Sequence, residues 1–254
     1  MFMSRKNELY LHRQYRHQSD TSMLHPTYQQ FTQRLFLLIV LMATVFPAFA
    51  KNGEHDQTEK HIKKVLFIGD SMTGWMAERL NAYGKNNGFE VATVVWDGST
   101  ISKWANSSRL TSIIREQDPD AIFISLGMNE LLERNPSARL SSSMTKLKKA
   151  FGNIPTLWIG PPSWPGKPGG DALNSFLAQE MGEGHYFHSS GLNLSRQSSR
   201  NPHPSRQGII HWIDTIADWI PEHTQLKFKS LDNPGANEMS RGKTFIYKRM
   251  RETL

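Results

Sequence analysis

Lys63-Lys64-Val65-Leu66-Phe67-Ile68-Gly69-Asp70-Ser71-Met72 decides the fold class of this 254-residue chain. Val65–Ile68 is a short apolar run of strand length. Met72, Met76, Leu80 and Tyr83 then recur at helical spacing, so the Gly-Asp-Ser between them lies at a strand-to-helix turn.

The same alternation continues outward. Val91–Trp96 (VATVVW), Ala121–Leu126 (AIFISL), Thr156–Ile159 (TLWI) and, more weakly, His185–His188 read as strands. Leu110, Ile113 and Ile114 mark a helix that ends before Asp118-Pro119. Met144, Leu147 and Phe151 mark another, as do Leu173, Phe176, Leu177 and Met181. Ile209, Trp212, Ile213, Ile216, Trp219 and Ile220 form the most strongly periodic helix. Strands that are apolar throughout, alternating with helices, predict one α/β domain over 63–222, with about five parallel strands and helices on both faces. In such sheets ligands bind beyond the carboxyl ends of the strands.

Four segments there carry chemistry. Ser71, at the first strand-to-helix turn, is placed either as an exposed nucleophile near a helix N-terminus or as a simple helix cap. Asp97-Gly98-Ser99-Thr100 follows the second strand, and Gly98 permits close backbone approach to a ligand. Gly127-Met128-Asn129-Glu130 follows the third; the Asn129 amide can donate to an oxyanion or cap a helix. Arg200-Asn201-Pro202-His203-Pro204-Ser205 precedes the last helix and presents a His between two prolines on a loop, where it can act as a general base.

Gly-Asp-Ser, Gly, Gly-x-Asn and His-Pro in this order resemble the SGNH (GDSL) hydrolase superfamily over about residues 63–220. Met72 replaces the more usual Leu of the first block, and Glu130 the Asp of the third. The resemblance implies a flavodoxin-like three-layer sandwich. It implies Ser71 as nucleophile, His203 as base, and an oxyanion hole of the Ser71 and Gly98 N–H groups with the Asn129 amide. One position departs from the pattern: the family's His-orienting Asp sits three residues before the His, and here that place is Arg200. Orientation by a main-chain carbonyl, a carboxylate from elsewhere, or a weakened or inactive relative all remain open.

The ends read differently from the middle. Residues 1–50 carry five Lys/Arg and two acids, residues 225–254 seven and three, and the stretch between 18 of each sign. The net charge of +7 therefore belongs to the termini, which argues against a nucleic-acid face on the central domain. Arg34, the apolar run Leu35–Phe46 and Ala48-Phe49-Ala50 have the layout of a secretory signal peptide, with Met23 the more typical start. Residues 1–50 are thus expected to be a signal region, 51–62 a linker, and 223–254 a basic disordered tail able to touch anionic surfaces weakly. Export to the periplasm or medium is expected, with an uncleaved signal-anchor as the alternative.

The chain has no cysteine, which excludes disulfides, thiolate nucleophiles and Cys-based metal centres. No Gly-x-Ser-x-Gly, Gly-x-Gly-x-x-Gly or His-Glu-x-x-His is present, and the ten histidines show no metal spacing. No metal or cofactor is expected. The Pro-rich loop Pro161–Gly170 should border the site, where Trp164 is a candidate for substrate contact; Trp75 is expected in the core. The resulting expectation is an exported, monomeric serine esterase acting through an acyl-Ser71 intermediate on O-acyl, foremost O-acetyl, esters of cell-wall or extracellular polysaccharide. Alternatives are a lipid esterase or thioesterase, an acetyltransferase, or an SGNH-fold binding domain with decayed catalysis.

Overall fold

The computed structural model describes residues 60–247, apart from Pro165, Lys167 and Pro168. The signal region, most of the linker and residues 248–254 lie outside the described residues. No helix among those described is long and apolar enough to cross a membrane.

β1 (Lys64–Gly69) is the central strand. It pairs in parallel with β2 (Glu90–Trp96) on one side and β3 (Ala121–Ser125) on the other. β4 (Thr156–Ile159) and β5 (Tyr186–Phe187) extend the sheet beyond β3. A further parallel strand, β8 (Lys243–Tyr247), flanks β2, so the order is β5-β4-β3-β1-β2-β8. The chain leaves β1 toward β2 and returns across it to β3. This reversal opens a crevice at the carboxyl ends of β1 and β3.

Helices cover both faces. α1 (Thr73–Asn87) and α6 (Arg206–His223) lie on one; α3 (Leu110–Gln117), α4 (Pro136–Phe151) and α5 (Asp171–Met181) lie on the other. Successive strand residues point to opposite faces. Val65 and Phe67 accordingly pack with Met76 of α1 and Trp212 of α6, while Leu66 and Ile68 pack with Ile113, Met144 and Leu177. With both sides buried, the strand reads as a continuous apolar run. A short α2 (Ile101–Ala105), capped by Thr100, was not foreseen.

Three fully buried tryptophans tie the site-bearing edge to the core. The indole N–H of Trp104 donates to Ser99 Oγ (2.9 Å), that of Trp158 to the Leu126 carbonyl (3.1 Å), and that of Trp212 to Ser189 Oγ (2.8 Å). Each bond satisfies a buried donor and pins the backbone just after a strand.

The expected disordered tail is a correction. Past α6 the chain turns back, and Phe228 packs on Phe89 and Phe123 with ring centroids 4.8 and 6.3 Å apart. Arg79 of α1 is completely buried. It grips Asp214 through two bonds of 2.8 and 2.9 Å and donates to the carbonyls of Gly235 (2.7 Å) and Glu238 (2.8 Å) and to Asn233 Oδ1 (3.1 Å). All five guanidinium donors are thereby used. Asn87 binds the backbone of Asp232 at both N–H (2.8 Å) and carbonyl (2.9 Å). Side chains of α1 that look solvent-directed by polarity instead hold the returning chain by hydrogen bonds, which a hydropathy pattern does not register.

Candidate active site

Gly69 ends β1 at a point of close backbone approach. A Cβ there would lie 2.0 Å from Thr73 Oγ1 and 2.2 Å from the Ser125 carbonyl oxygen, so no larger residue fits. The Asp70 N–H donates to that same carbonyl (3.2 Å), and its Oδ1 accepts from the Met72 N–H (3.0 Å). Asp70 thus serves the first turn of α1, whose N-cap residue is Met72. The capping alternative for Ser71 falls away: its hydroxyl faces His203 instead.

His203 does not sit on a loop. It belongs to β7 (Asn201–Pro204), which pairs antiparallel with β6 (Arg196–Ser198) in a small hairpin outside the main sheet. Its Nε2 lies 2.9 Å from Ser71 Oγ and its Nδ1 2.7 Å from Asn201 Oδ1. The His203 backbone N–H also donates to Asn201 Oδ1 (3.0 Å), while Asn201 Nδ2 donates to Gln197 Oε1 (2.9 Å). A main-chain N–H can only donate, so the atom it meets is the amide oxygen. The imidazole therefore carries its proton on Nδ1, and Nε2 is free to accept from the Ser71 hydroxyl.

The residue orienting His203 is thus Asn201, two positions before it. None of the three possibilities left open by Arg200 named a side-chain amide. Arg200 is exposed at the hairpin turn. Burial holds the His203 imidazole below the usual histidine range; the Asp97 carboxylate pushes it up and the Arg196 guanidinium pushes it further down.

Asn129 lies in a short 3₁₀ turn, Met128–Glu130, after β3. Its amide nitrogen is 2.7 Å from the Ser99 carbonyl and 3.3 Å from Asp70 Oδ2, bridging the loops after β2 and β1. The backbone N–H groups of Ser71 and Gly98 find no acceptor among the described residues. Gly98 occupies a left-handed turn with φ of 66°. Ser71, Gly98 and Asn129 thus stand on the three loops that follow β1, β2 and β3, and Asn129 bonds both of the other loops. Behind them lie the buried Asp70 and the half-buried Glu130. Burial, and then the nearby Glu130 and Asp97 carboxylates, push Asp70 up to about 7 against the Met72 N–H that lowers it; burial pushes Glu130 up to about 7 as well. Glu130 Oε1 accepts from the Ile101 N–H at 2.6 Å.

A cavity of about 430 Å³ opens beside Ser71, lined by Trp75, Glu78, Asp97, Arg241 and Thr244 among others. Trp75, expected in the core, is 51% exposed there. Trp164 is half-buried in the loop after β4 and is not among the cavity's lining residues. His185 bonds the Thr156 carbonyl (2.9 Å) at the opposite edge of the sheet. No grouping of three or more metal-ligating side chains occurs among the described residues.

No family model matches the chain, and no curated protein matches it. Several solved structures are similar. A family 3 carbohydrate esterase of Clostridium thermocellum has 19% identity and a TM-score of 0.47, covering 63% of this chain and 94% of its own. The esterase EstA of a Pseudoalteromonas species, inhibited by monoethylphosphonate, has 17% identity and a TM-score of 0.47, covering 63% and 97%. AlinE4, an SGNH-hydrolase family esterase, has 17% identity and a TM-score of 0.39, covering 64% and 97%.

Proposed function

We propose that this chain is a serine esterase working through a Ser71–His203–Asn201 triad. The observation that carries this reading is the unbroken hydrogen-bonded line from Ser71 Oγ through both ring nitrogens of His203 to Asn201 Oδ1. Ser71 Oγ attacks the ester carbonyl while Nε2 of His203 takes its proton. The resulting imidazolium keeps its Nδ1–H on Asn201 Oδ1. The negative oxygen is received by the Ser71 and Gly98 N–H groups and by the Asn129 amide. One N–H of that amide is held by the Ser99 carbonyl; the other, only loosely engaged by Asp70, turns to the oxyanion. His203 then protonates the leaving alcohol, and water repeats the sequence on the acyl-Ser71 ester.

Asn201 orients the imidazole but offers no negative charge to the imidazolium. A rate below that of a carboxylate-backed triad follows. The signal-like layout of residues 34–50 supports export, which makes O-acetyl groups of extracellular or cell-wall polysaccharide the substrate class of this reading.

The test is hydrolysis of p-nitrophenyl acetate and butyrate by the full chain and its Ser71→Ala variant. Acetate turnover that disappears in the variant, and exceeds butyrate turnover in the parent, supports an acetyl esterase. Equal rates from the two folded proteins would remove the esterase reading and favour a binding domain.

A further inference from the structure

The cavity beside Ser71 is assembled from the start of α1, the end of β2 and the returning C-terminal segment. Trp75 and Glu78 come from the first turns of α1; Arg241, Gly242 and Thr244 come from the returning segment that leads into β8. The two are joined by the Ser240 N–H donating to the Glu78 carbonyl (2.9 Å) and by Arg79 holding the Glu238 carbonyl (2.8 Å). Trp75 is four residues past Ser71, and both line the cavity. It is one of two large apolar side chains markedly exposed among the described residues.

The lining chemistry selects the ligand. Besides Trp75, Val95 and two glycines, the lining residues are Ser71, Glu78, Asp97, Arg241 and Thr244. An alkyl chain would strip water from these groups and return no hydrogen bond. A ring bearing hydroxyls on its rim and C–H groups on its face replaces that water and covers the indole. Two carboxylates against one guanidinium disfavour an anionic ring. The position selects the part of the substrate. Ser71 lines the cavity and its Oγ lies 2.9 Å from Nε2 of His203, so the cavity adjoins the group that delivers a proton to the leaving alcohol.

We propose that this cavity is the alcohol-side subsite of the enzyme, binding a neutral sugar ring stacked on Trp75 with its hydroxyls on Asp97, Glu78 and Arg241. The assignment rests on the esterase reading above and deepens it: the specificity for sugar is built by the returning C-terminal segment closing on α1.

Binding to the full-length Ser71→Ala protein tests it without turnover. Calorimetric titrations use O-acetylated xylotriose, mannotriose and N-acetylchitotriose. At least one should bind, and Ser71→Ala/Trp75→Ala should bind that sugar about tenfold more weakly, while Ser71→Ala/Trp75→Phe stays within about threefold. In the active protein, Trp75→Ala should lower kcat/KM for that sugar ester relative to p-nitrophenyl acetate, chiefly through KM. Circular dichroism confirms that each variant is folded. No binding of any of the three sugars, or equal binding with and without Trp75, overturns the subsite. If p-nitrophenyl acetate hydrolysis still depends on Ser71, only the subsite has failed. Ser71-independent hydrolysis would instead sink the esterase reading, with the titrations still deciding the role of Trp75.

Discussion

Asn201 Oδ1 lies 2.7 Å from Nδ1 of His203 and is held there by a second bond from the His203 backbone N–H (3.0 Å). The amide cannot turn over without breaking that bond and the one from its nitrogen to Gln197. A neutral side chain therefore selects the imidazole tautomer that a catalytic base requires, a task assigned in many serine hydrolases to a carboxylate.

Asn201→Ala should reduce kcat by roughly 10²–10³, by freeing the ring to rotate. Asn201→Asp should raise kcat at alkaline pH and move the acid limb upward, because a carboxylate favours the imidazolium. Initial rates on p-nitrophenyl acetate across pH check both. Full activity in Asn201→Ala would refute the orienting role.

The pH profile of the parent follows from burial. His203 must be neutral to accept the Ser71 proton, and burial keeps its ionisation below the usual 6.5. The acid limb of kcat/KM, which reports the free enzyme, should therefore fall below that value. Asp97→Asn removes a charge that pushes His203 up, so the limb should move lower still. An upward shift in that variant would contradict the arrangement.

Stability should fall as the pH rises from the acid range to neutrality. Asp70 and Glu130 both sit at about 7 in the folded chain, above their ordinary values of 3.8 and 4.5. Between those limits the folded state holds more protons than the unfolded one, so stability declines as pH rises through the window and the loss is complete above about 7. Glu130→Gln keeps an acceptor for the Ile101 N–H and removes the charge. Its melting temperature relative to the parent should thus rise between pH 5 and pH 8, roughly the window over which the carboxyl ionises. A difference that is flat in pH would show that Glu130 does not titrate there.

Arg79 joins α1 to the returning segment. Replacing it by Ala leaves the Asp214 carboxylate without its partner and frees the carbonyls of Gly235 and Glu238. A loss of about 3–5 kcal/mol is expected from breaking a buried pair on one side. Denaturant unfolding measures the loss, and limited proteolysis should cut first near residues 233–242. The double change Arg79→Met/Asp214→Leu should recover part of the stability, since it removes both charges together.

The α/β class and the strands β1 to β5 were legible because each strand is buried on both faces and each helix on one. Burial of that kind writes itself into apolar runs and helical periodicity. Gly69, Ser71, Gly98 and Asn129 were legible for a related reason: the loops after consecutive parallel strands emerge at one sheet edge whatever the details of packing. His203 was singled out by its flanking prolines, although its place in the β6–β7 hairpin was not.

What only the tertiary structure decided are the features made by hydrogen bonds between segments far apart in the chain. Asn201 rather than residue 200 orients His203, because the bulged β6–β7 pairing sets which side chain turns inward, and residue spacing alone does not encode that turn. β8 has a short strand-like sequence, Thr244-Phe245-Ile246, but the segment before it docks through Arg79 and Asn87, two polar residues of a helix 145 or more positions upstream. Trp75 looked like core by its chemistry, and its exposure depends on where that returning segment stops. Local periodicity records which side of an element meets the core, whereas a polar side chain reveals its partner only when the fold brings the two within hydrogen-bonding distance.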